Sequence, residues 1–351
     1  MARFRLAAIL LALPTTATAE PPRADEPKAA TASMTRAAEY LDGVTRSWLR
    51  DNGCASCHTG YPYLLARPLA GDSPAVKQVR QFFEDRVAAW DRGGKNAGLL
   101  QGEGAVKDTE GISEVVAIAA TLAMHDATAT GKLQPPTRLA LAKMWELQRD
   151  DGGWAWNREH LAPLEFDEYF GAVYAALGVG RAPDGYAGSD AAKPGVAKLR
   201  AYFAKNPPPN LHHTSWLLWA SAHLDGLTTP AQREAAVKEL RAKQRPDGGW
   251  CLPALGDWTR LDDSPNDPQA DSDGYATGLV LYVLRQTGVP AADPAVQKGV
   301  AWLKANQRAS GRWFTRSLNA DRKHYITNTG TALAIMALSA CEAPPAPKRK
   351  P

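Results

Sequence analysis

The chain has 351 residues, of which 44% are hydrophobic, so it can bury a sizeable core as one large domain or two ordinary ones. Its formal net charge of +4 at pH 7 gives no electrostatic reason to expect binding to nucleic acid. Four cysteines are too few to form a disulfide scaffold in a chain of this length.

The N-terminus has the three parts of a secretory signal peptide. Arg3 and Arg5 precede the apolar run LAAILLALP, and the small-residue pattern ATA at 17–19 forms a cleavage site. We therefore expect a cleaved signal peptide over residues 1–19, a flexible segment over 20–34, and a secreted or periplasmic location. The apolar run is far shorter than the roughly 20 residues that cross a bilayer, so no transmembrane helix is expected.

The first motif that carries chemistry is CASCH, in which Cys54, Cys57 and His58 have the spacing C-x-x-C-H. In an exported protein this spacing is typical of covalent haem attachment, where two thiols add to the haem vinyl groups and the histidine binds the iron. We therefore expect haem c as the cofactor. A CxxC disulfide or redox pair is an alternative, and so is a zinc site, although no second CxxC completes a tetrahedral ligand set.

Repeats determine the predicted architecture. Three loops each place Gln and Trp six residues apart: QRDDGGW at 148–154, QRPDGGW at 244–250 and QRASGRW at 307–313. Helix starts also recur, with a capping side chain before proline at Ser73, Thr229 and Asp293, and with further starts at Pro136 and Pro194. With an N-terminal helix, these starts predict six amphipathic helices. Such fixed self-similarity indicates a repeat protein.

Each amphipathic helix is followed by a segment that is apolar on nearly all sides, which predicts burial. The six buried segments are HTGYPYLLA, SEVVAIAATLAM, FDEYFGAVYAALG, HTSWLLWASAHL, SDGYATGLVLYVL and YITNTGTALAIMAL. We therefore predict an all-α (α/α)6 toroid over residues 35–341, with six inner and six outer helices and almost no strand. An open solenoid is the alternative. The Pro-rich and basic end of the chain, 342–351, is expected to be a disordered tail.

At this point the chain resembles the squalene (terpenoid) cyclase and protein prenyltransferase superfamily, whose α/α toroids carry Q-x(3)-G-x-W loops after their outer helices. The resemblance covers nearly the whole mature chain. We expect the Gln and Trp residues of the loops to be structural, because the amide can bond free backbone groups at helix ends. Aligning the first repeat with the last places Gly53 on Gln307. The C-x-x-C-H motif then occupies the position of a missing Gln-Trp loop, on the face where the inner helices begin.

The resemblance also suggests catalytic residues in the sequence DSDGYATG. In the cyclases an acidic motif at this point supplies the proton that starts cyclisation. Asp273 matches the acid, with Asp271 two residues before it and Tyr275 two after it. We expect Asp273 in the central cavity near Tyr275 and Tyr325, while helix capping is the alternative role for Asp271. The chain departs from the cyclases in the residues that follow the acid and in having a single toroid.

The zinc-dependent prenyltransferases of the superfamily hold their metal with Asp, Cys and His. Tyr275 stands in place of that cysteine here and Ile326 falls on the histidine position, so no zinc site of this kind is expected.

A distal iron ligand is expected from the same face as His58. His324 is the first choice, because it begins the sixth inner segment, which becomes the neighbour of the first if the ring closes. His212 and His213 begin the fourth inner segment and are the second choice. A five-coordinate iron fits the sequence equally and leaves a position for a substrate.

Together these features predict redox chemistry or electron transfer on an apolar or isoprenoid-like small molecule, with a possible redox partner protein and no nucleic acid. Two other functions stay open. One is a haem-free polysaccharide lyase or hydrolase, because (α/α)6 barrels often act on sugars and the mouth carries paired carboxylates. The other is a non-catalytic binding scaffold.

Overall fold

The computed structural model describes residues 21–90, 109–156, 161–164 and 166–342. The predicted signal peptide over 1–19 and nearly all of the predicted tail lie outside these residues. Within them the chain forms twelve α-helices and no β-strand, which confirms the all-α prediction. The helices, numbered α1 to α12 in chain order, are Met34–Asn52, Tyr61–Ala66, Pro74–Ala89, Thr109–Ala129, Pro135–Glu146, Glu168–Arg181, Lys193–Lys205, Leu211–Ser221, Pro230–Ala242, Gly274–Gln286, Pro294–Asn306 and Ile326–Glu342.

Helices α3, α9 and α11 begin where their capping residues predict. Ser73 accepts a hydrogen bond from Ala75 N, and Asp293 accepts one from Ala295 N. Thr229 forms a capping box with Gln232. These bonds satisfy amide groups that the first helical turn leaves unpaired, and the proline at the first helical position loses nothing by lacking an N–H.

The even-numbered helices form the core. Helices α6, α8, α10 and α12 are buried along almost their whole length, as their apolar sequences predict. Each even-numbered helix packs against the next one in the series from α2 to α12, and α12 packs against α2. Odd-numbered helices pack against even-numbered ones, as in the pairs α5 with α4 and α9 with α8. No helix in the described part of the chain is long and apolar enough to cross a membrane.

The three Gln-Trp loops make one and the same set of contacts. In each, the Gln Nε2 donates to the carbonyl four residues on and to a carbonyl at or just before the start of another odd-numbered helix. These second bonds are Gln148 to Gly195 at 3.1 Å, Gln244 to Ala295 at 2.8 Å and Gln307 to Ser33 at 2.9 Å. Each Trp is fully buried, and its Nε1 donates to the carbonyl ten residues earlier, over 2.7 to 2.8 Å. The predicted structural role of these residues is confirmed.

The N-terminal segment differs from the prediction of a flexible 20–34. Ser33 N donates to Gln307 Oε1 at 2.6 Å, and Ala309 N donates to the Pro27 carbonyl at 2.8 Å. Glu26 accepts from the buried Arg312 guanidinium at 2.6 Å. These bonds hold the segment against the third Gln-Trp loop. Ser33 and its partner Gln307 are 274 residues apart in the chain. The sequence of residues 20–33 consists of polar residues, prolines and alanines, which predict no fixed structure. The residues that hold the segment lie near the other end of the chain.

Candidate cofactor site

The C-x-x-C-H motif lies in a tight connection between α1 and α2, which we call the CxxCH turn (residues 53–60). Gly53 ends α1 in the left-handed conformation, with φ at 61°. Ser56 also has a positive φ, 58°, and residues Ser56–Gly60 form a π-helical turn that runs into α2. Helix α11 likewise ends just before Gln307, so the turn does occupy the position of a Gln-Trp loop. Left-handed non-glycine residues and π turns are concentrated at functional sites.

Both cysteines of the turn are partly buried thiols. The Trp48 indole N–H donates to Cys54 Sγ over 3.1 Å. Burial raises the pKa of the Cys54 thiol, so this thiol is protonated at neutral pH. No disulfide joins the two residues here.

His58 is held in a defined orientation. Its Nδ1 lies 2.8 Å from Thr59 Oγ1 and 3.2 Å from Ser56 Oγ. The Tyr325 ring stacks on the imidazole at 5.1 Å, with 15° between the planes, and the Trp48 ring contacts it edge-on at 4.5 Å. Burial lowers the pKa of His58 to about 4, so the imidazole is neutral at pH 7. A neutral ring with its Nδ1 engaged leaves Nε2 as the metal-binding atom.

A buried ion pair supports the turn from behind. Arg86 Nε donates to Glu114 Oε1 at 2.7 Å, and both side chains are only 5% exposed. Trp90 Nε1 donates to the same carboxylate at 3.2 Å, and Arg86 Nη1 donates to the Gly53 carbonyl at 3.4 Å. The Glu114 carboxylate, near the start of α4, is therefore tied to the scaffold and is not free for chemistry.

Two cavities meet at Cys57. The first, the apolar cavity, is lined by side chains of the even-numbered helices, among them Leu65, Phe170, Tyr174, Trp216 and Met336. Its free volume is ≈ 30 Å³, which is room for about one water molecule. An apolar ligand must therefore move these side chains in order to enter.

The second, the motif cavity, has a volume of ≈ 240 Å³ and is lined by both Cys57 and His58. Its other walls include residues 161–164 and the loop before α12, with Arg322, Lys323 and Tyr325. Cofactor and ligand pockets usually measure about 300–1,000 Å³, so a haem here must separate these walls or project beyond them. The donor set itself suits a haem: two thiols, and a neutral imidazole fixed through Nδ1.

Asp273 and Asp271 line a third space, the polar cleft, of ≈ 730 Å³. Asp273 is the N-cap of α10 and accepts hydrogen bonds from Ala276 N at 2.9 Å and Leu252 N at 2.6 Å. Burial raises the pKa of this carboxyl to about 6. Asp271 is exposed at the rim. The expected place for Asp273, in the central cavity, therefore differs from its observed one, because capping α10 draws the carboxylate to the backbone at the helix end.

Tyr275 is fully buried, and its hydroxyl is directed to α8 rather than to the polar cleft. The Tyr275 hydroxyl lies 2.8 Å from His212 Nε2, and that nitrogen also accepts from Trp216 Nε1 at 3.1 Å. The neighbouring His213 lies 3.1 Å from the Asp167 carboxylate and 2.7 Å from Asn210 Oδ1. The three residues are thus engaged in a buried aromatic and polar cluster, away from His58.

His324 is not brought to His58. Its Nδ1 accepts from Ser317 N at 3.1 Å, and its ring packs against Phe314 at 5.2 Å. The next residue, Tyr325, makes the contact with His58, because consecutive residues at a helix start point in different directions. The expectation that His324 is the distal ligand therefore has no support in this arrangement. In the described ranges, no three His, Cys, Asp or Glu side chains converge as ligands of a metal ion.

Several residues around the motif were missed by the sequence analysis. Phe170, Trp216 and Met336 lie within helices whose sequences are apolar throughout, so nothing in the sequence distinguishes them from core residues. Only the packing of the helices brings them to one cavity. Arg322 and Lys323 precede the last helix and read as an ordinary polar loop. No protein-family model matches the chain, and no curated protein shows significant sequence similarity to it.

Proposed function

We propose that this chain is an exported (α/α)6-toroid protein of the squalene cyclase and prenyltransferase type. Cys54 and Cys57 bind a c-type haem covalently, and His58 is its proximal ligand. The protein performs redox chemistry or electron transfer on an apolar, isoprenoid-like molecule, with a redox partner protein as electron donor or acceptor. It acts in the periplasm or outside the cell after removal of residues 1–19.

The contacts between repeats support the toroid. The even-numbered helices neighbour one another in chain order, and the sixth also contacts the first. The third Gln-Trp loop bonds Ser33, just before α1, in the way the first two loops bond the starts of α7 and α11. An open solenoid has no partner for its last repeat, so this final bond favours a closed ring.

The observation that carries the proposed function is the position of Cys57, which lines both the motif cavity and the apolar cavity. A group attached there lies between the apolar cavity and the motif cavity, whose lining adds two cationic residues to apolar ones. A bound haem supplies one-electron redox chemistry. The chain itself fixes His58 through the Ser56 and Thr59 hydroxyls and packs Trp48 and Tyr325 around the imidazole. The aromatic walls of the apolar cavity exclude water from whatever molecule binds there.

The test is to express the full chain together with haem c maturation machinery and to purify it. The expected result is a coloured protein whose haem resists extraction by acid and organic solvent, with a mass increase of one haem. Cys54→Ala with Cys57→Ala should abolish covalent attachment. The matched control is Cys251→Ala, which removes a buried thiol outside the turn. A colourless wild-type protein with full maturation would refute haem attachment.

The polar cleft favours a second candidate, a glycoside-cleaving enzyme. Asp271 and Asp273 line this cleft together with Trp302 and Phe314. Active sites that cleave glycosidic bonds usually contain a pair of carboxylates, often beside aromatic rings. Asp273, with its raised pKa, is the candidate acid and Asp271 the candidate base. Hydrolysis of polysaccharides by haem-free protein, lost in Asp271→Asn, would establish this function. Equal activity of wild type and Asp271→Asn would exclude it.

A further inference from the structure

We infer that Arg322 and Lys323 bind the two carboxylates of the haem and thereby raise its reduction potential. The inference rests on the proposed function, since it concerns the same site. It assigns a task to two residues of the loop before α12 that the attachment motif does not involve.

The first support is position. Arg322 and Lys323 line the motif cavity together with Cys57 and His58. They lie in the same loop as Tyr325, whose ring stacks on the His58 imidazole at 5.1 Å. Lys323 has a positive φ of 50°, a conformation that costs free energy in a residue with a side chain. The loop thus contributes two cationic residues to the cavity that His58 also lines.

The second support is charge. Among the described residues that line the motif cavity, Arg322 and Lys323 are the charged ones, and no carboxylate lies with them. The nearest acid in the sequence, Asp321, is already bonded to Arg316 at 2.5 Å and to Arg260 at 3.1 Å. The described part of the chain shows no ion pair for Arg322 or Lys323. Two positive charges in this cavity are therefore available to an anionic ligand.

The third support is the chemistry of the remaining wall. Ser317 lines the same cavity, and its Oγ accepts from Asn319 N at 3.1 Å, so its hydroxyl hydrogen remains available to an acceptor. A guanidinium, an ammonium and a hydroxyl suit a ligand with two carboxylates. The apolar side chains Leu161, Leu164 and Ile326 complete the cavity and suit the face of a porphyrin.

An electrostatic consequence follows. Oxidised haem carries one more positive charge than reduced haem, so nearby cations favour the reduced state. Removing both cations should lower the midpoint potential of the haem. A tenfold change in the reduction equilibrium corresponds to a shift of about 59 mV for one electron, and we expect the double variant to reach this size at low salt. The shift should shrink as salt is added, because the two side chains are solvent-exposed.

The experiment is a spectroscopic redox titration of the matured wild type and of Arg322→Gln with Lys323→Gln. The matched control is Lys298→Gln with Lys304→Gln, which changes the net charge equally on exposed positions of α11, outside the cavity lining. Arg322→Lys keeps the charge and should keep the midpoint. A lower midpoint in the cavity variant alone supports the inference. Each single variant, Arg322→Gln or Lys323→Gln, should give part of the shift, so the inference stays testable if the double variant folds poorly.

The outcomes separate the inference from the proposed function. If wild-type protein acquires no haem, the proposed function fails. If haem is attached and the cavity variants have the midpoint of the wild type, attachment stands and the role of Arg322 and Lys323 is refuted. An equal shift in the α11 control would also refute that role, because the effect would then reflect net charge alone.

Discussion

The bond between Glu26 and Arg312 gives the sharpest test of how the first and last repeats are joined. The side chains are 14% and 4% exposed, and the carboxylate also accepts from Ser310 N at 2.8 Å. Removing one partner of a buried pair costs about 3–5 kcal/mol, because the other charge stays buried and uncompensated. Arg312 keeps a contact with the Tyr40 ring at 5.5 Å, so the lower end of that range applies. We expect Glu26→Ala to lower the free energy of unfolding by about 3 kcal/mol.

The assay is urea unfolding monitored by tryptophan fluorescence and by circular dichroism. Asp25→Ala is the matched control, because Asp25 pairs with Arg23 in the same segment while the two side chains are 70% and 64% exposed. An exposed pair contributes little to stability because water screens the two charges, so this variant should unfold close to the wild type. Limited proteolysis should cut the N-terminal segment faster in Glu26→Ala only. Equal unfolding free energies for the two variants would show that the Glu26–Arg312 pair does not hold the N-terminal segment on the third Gln-Trp loop.

Three further predictions concern backbone, protonation and capping. Gly248→Ala should lower the free energy of unfolding by about 2 kcal/mol or more, because φ at Gly248 is 93° and the added Cβ would lie 2.8 Å from a backbone carbonyl oxygen. At Gly288 φ is 90° but the space around the added Cβ is open, so Gly288→Ala should cost about half as much. Burial lowers the pKa of His125 from 6.5 to about 4, so the unfolded chain binds a proton first as pH falls. Stability should therefore decline between pH 6.5 and 4, by on the order of 3 kcal/mol from this residue, and a His125→Asn variant should show a flatter pH profile in thermal unfolding. Asp273→Asn should cost about 1–3 kcal/mol, because the NH2 that replaces one carboxylate oxygen cannot accept, so either Leu252 N or Ala276 N loses its bond. Asp271→Asn at the exposed rim should unfold like the wild type. Unchanged stability in Asp273→Asn would contradict the capping role.

Local signals explain why most of the secondary structure could be predicted. The caps at Ser73, Thr229 and Asp293 act within three residues, and a proline at the first helical position is compatible with a helix regardless of what packs around it. The apolar sequences of the even-numbered helices leave no polar face, so burial follows directly from the hydrophobic effect. The Gln-Trp loops repeat in sequence and therefore repeat in structure.

The site residues were harder to predict because their partners are distant in sequence. Asp273 matches the cyclase acid in the sequence. In the structure its carboxylate accepts from backbone amides near the start of α10, and these bonds fix its position relative to the apolar cavity. His324 and Tyr325 are adjacent, and the helix start decides which of them turns toward His58. Glu26 has no local pattern that marks it, because its partner Arg312 is 286 residues away. Non-local contacts of this kind become visible only once the helices are packed.

In the first repeat the CxxCH turn stands in the place of a Gln-Trp loop and still has a defined structure. A Gln-Trp loop fixes itself to the scaffold through an amide and a buried indole, and the CxxCH turn has neither. Arg86 donates to the Gly53 carbonyl instead, and Glu114 holds the Arg86 guanidinium in place. Trp90 Nε1 in turn donates to the Glu114 carboxylate. A buried ion pair of this kind adds little net stability, since desolvation offsets much of the attraction, but it specifies one geometry. The turn thus gains a fixed position for two thiols and an imidazole from α3 and α4 behind it, as the proposed attachment of a haem would require.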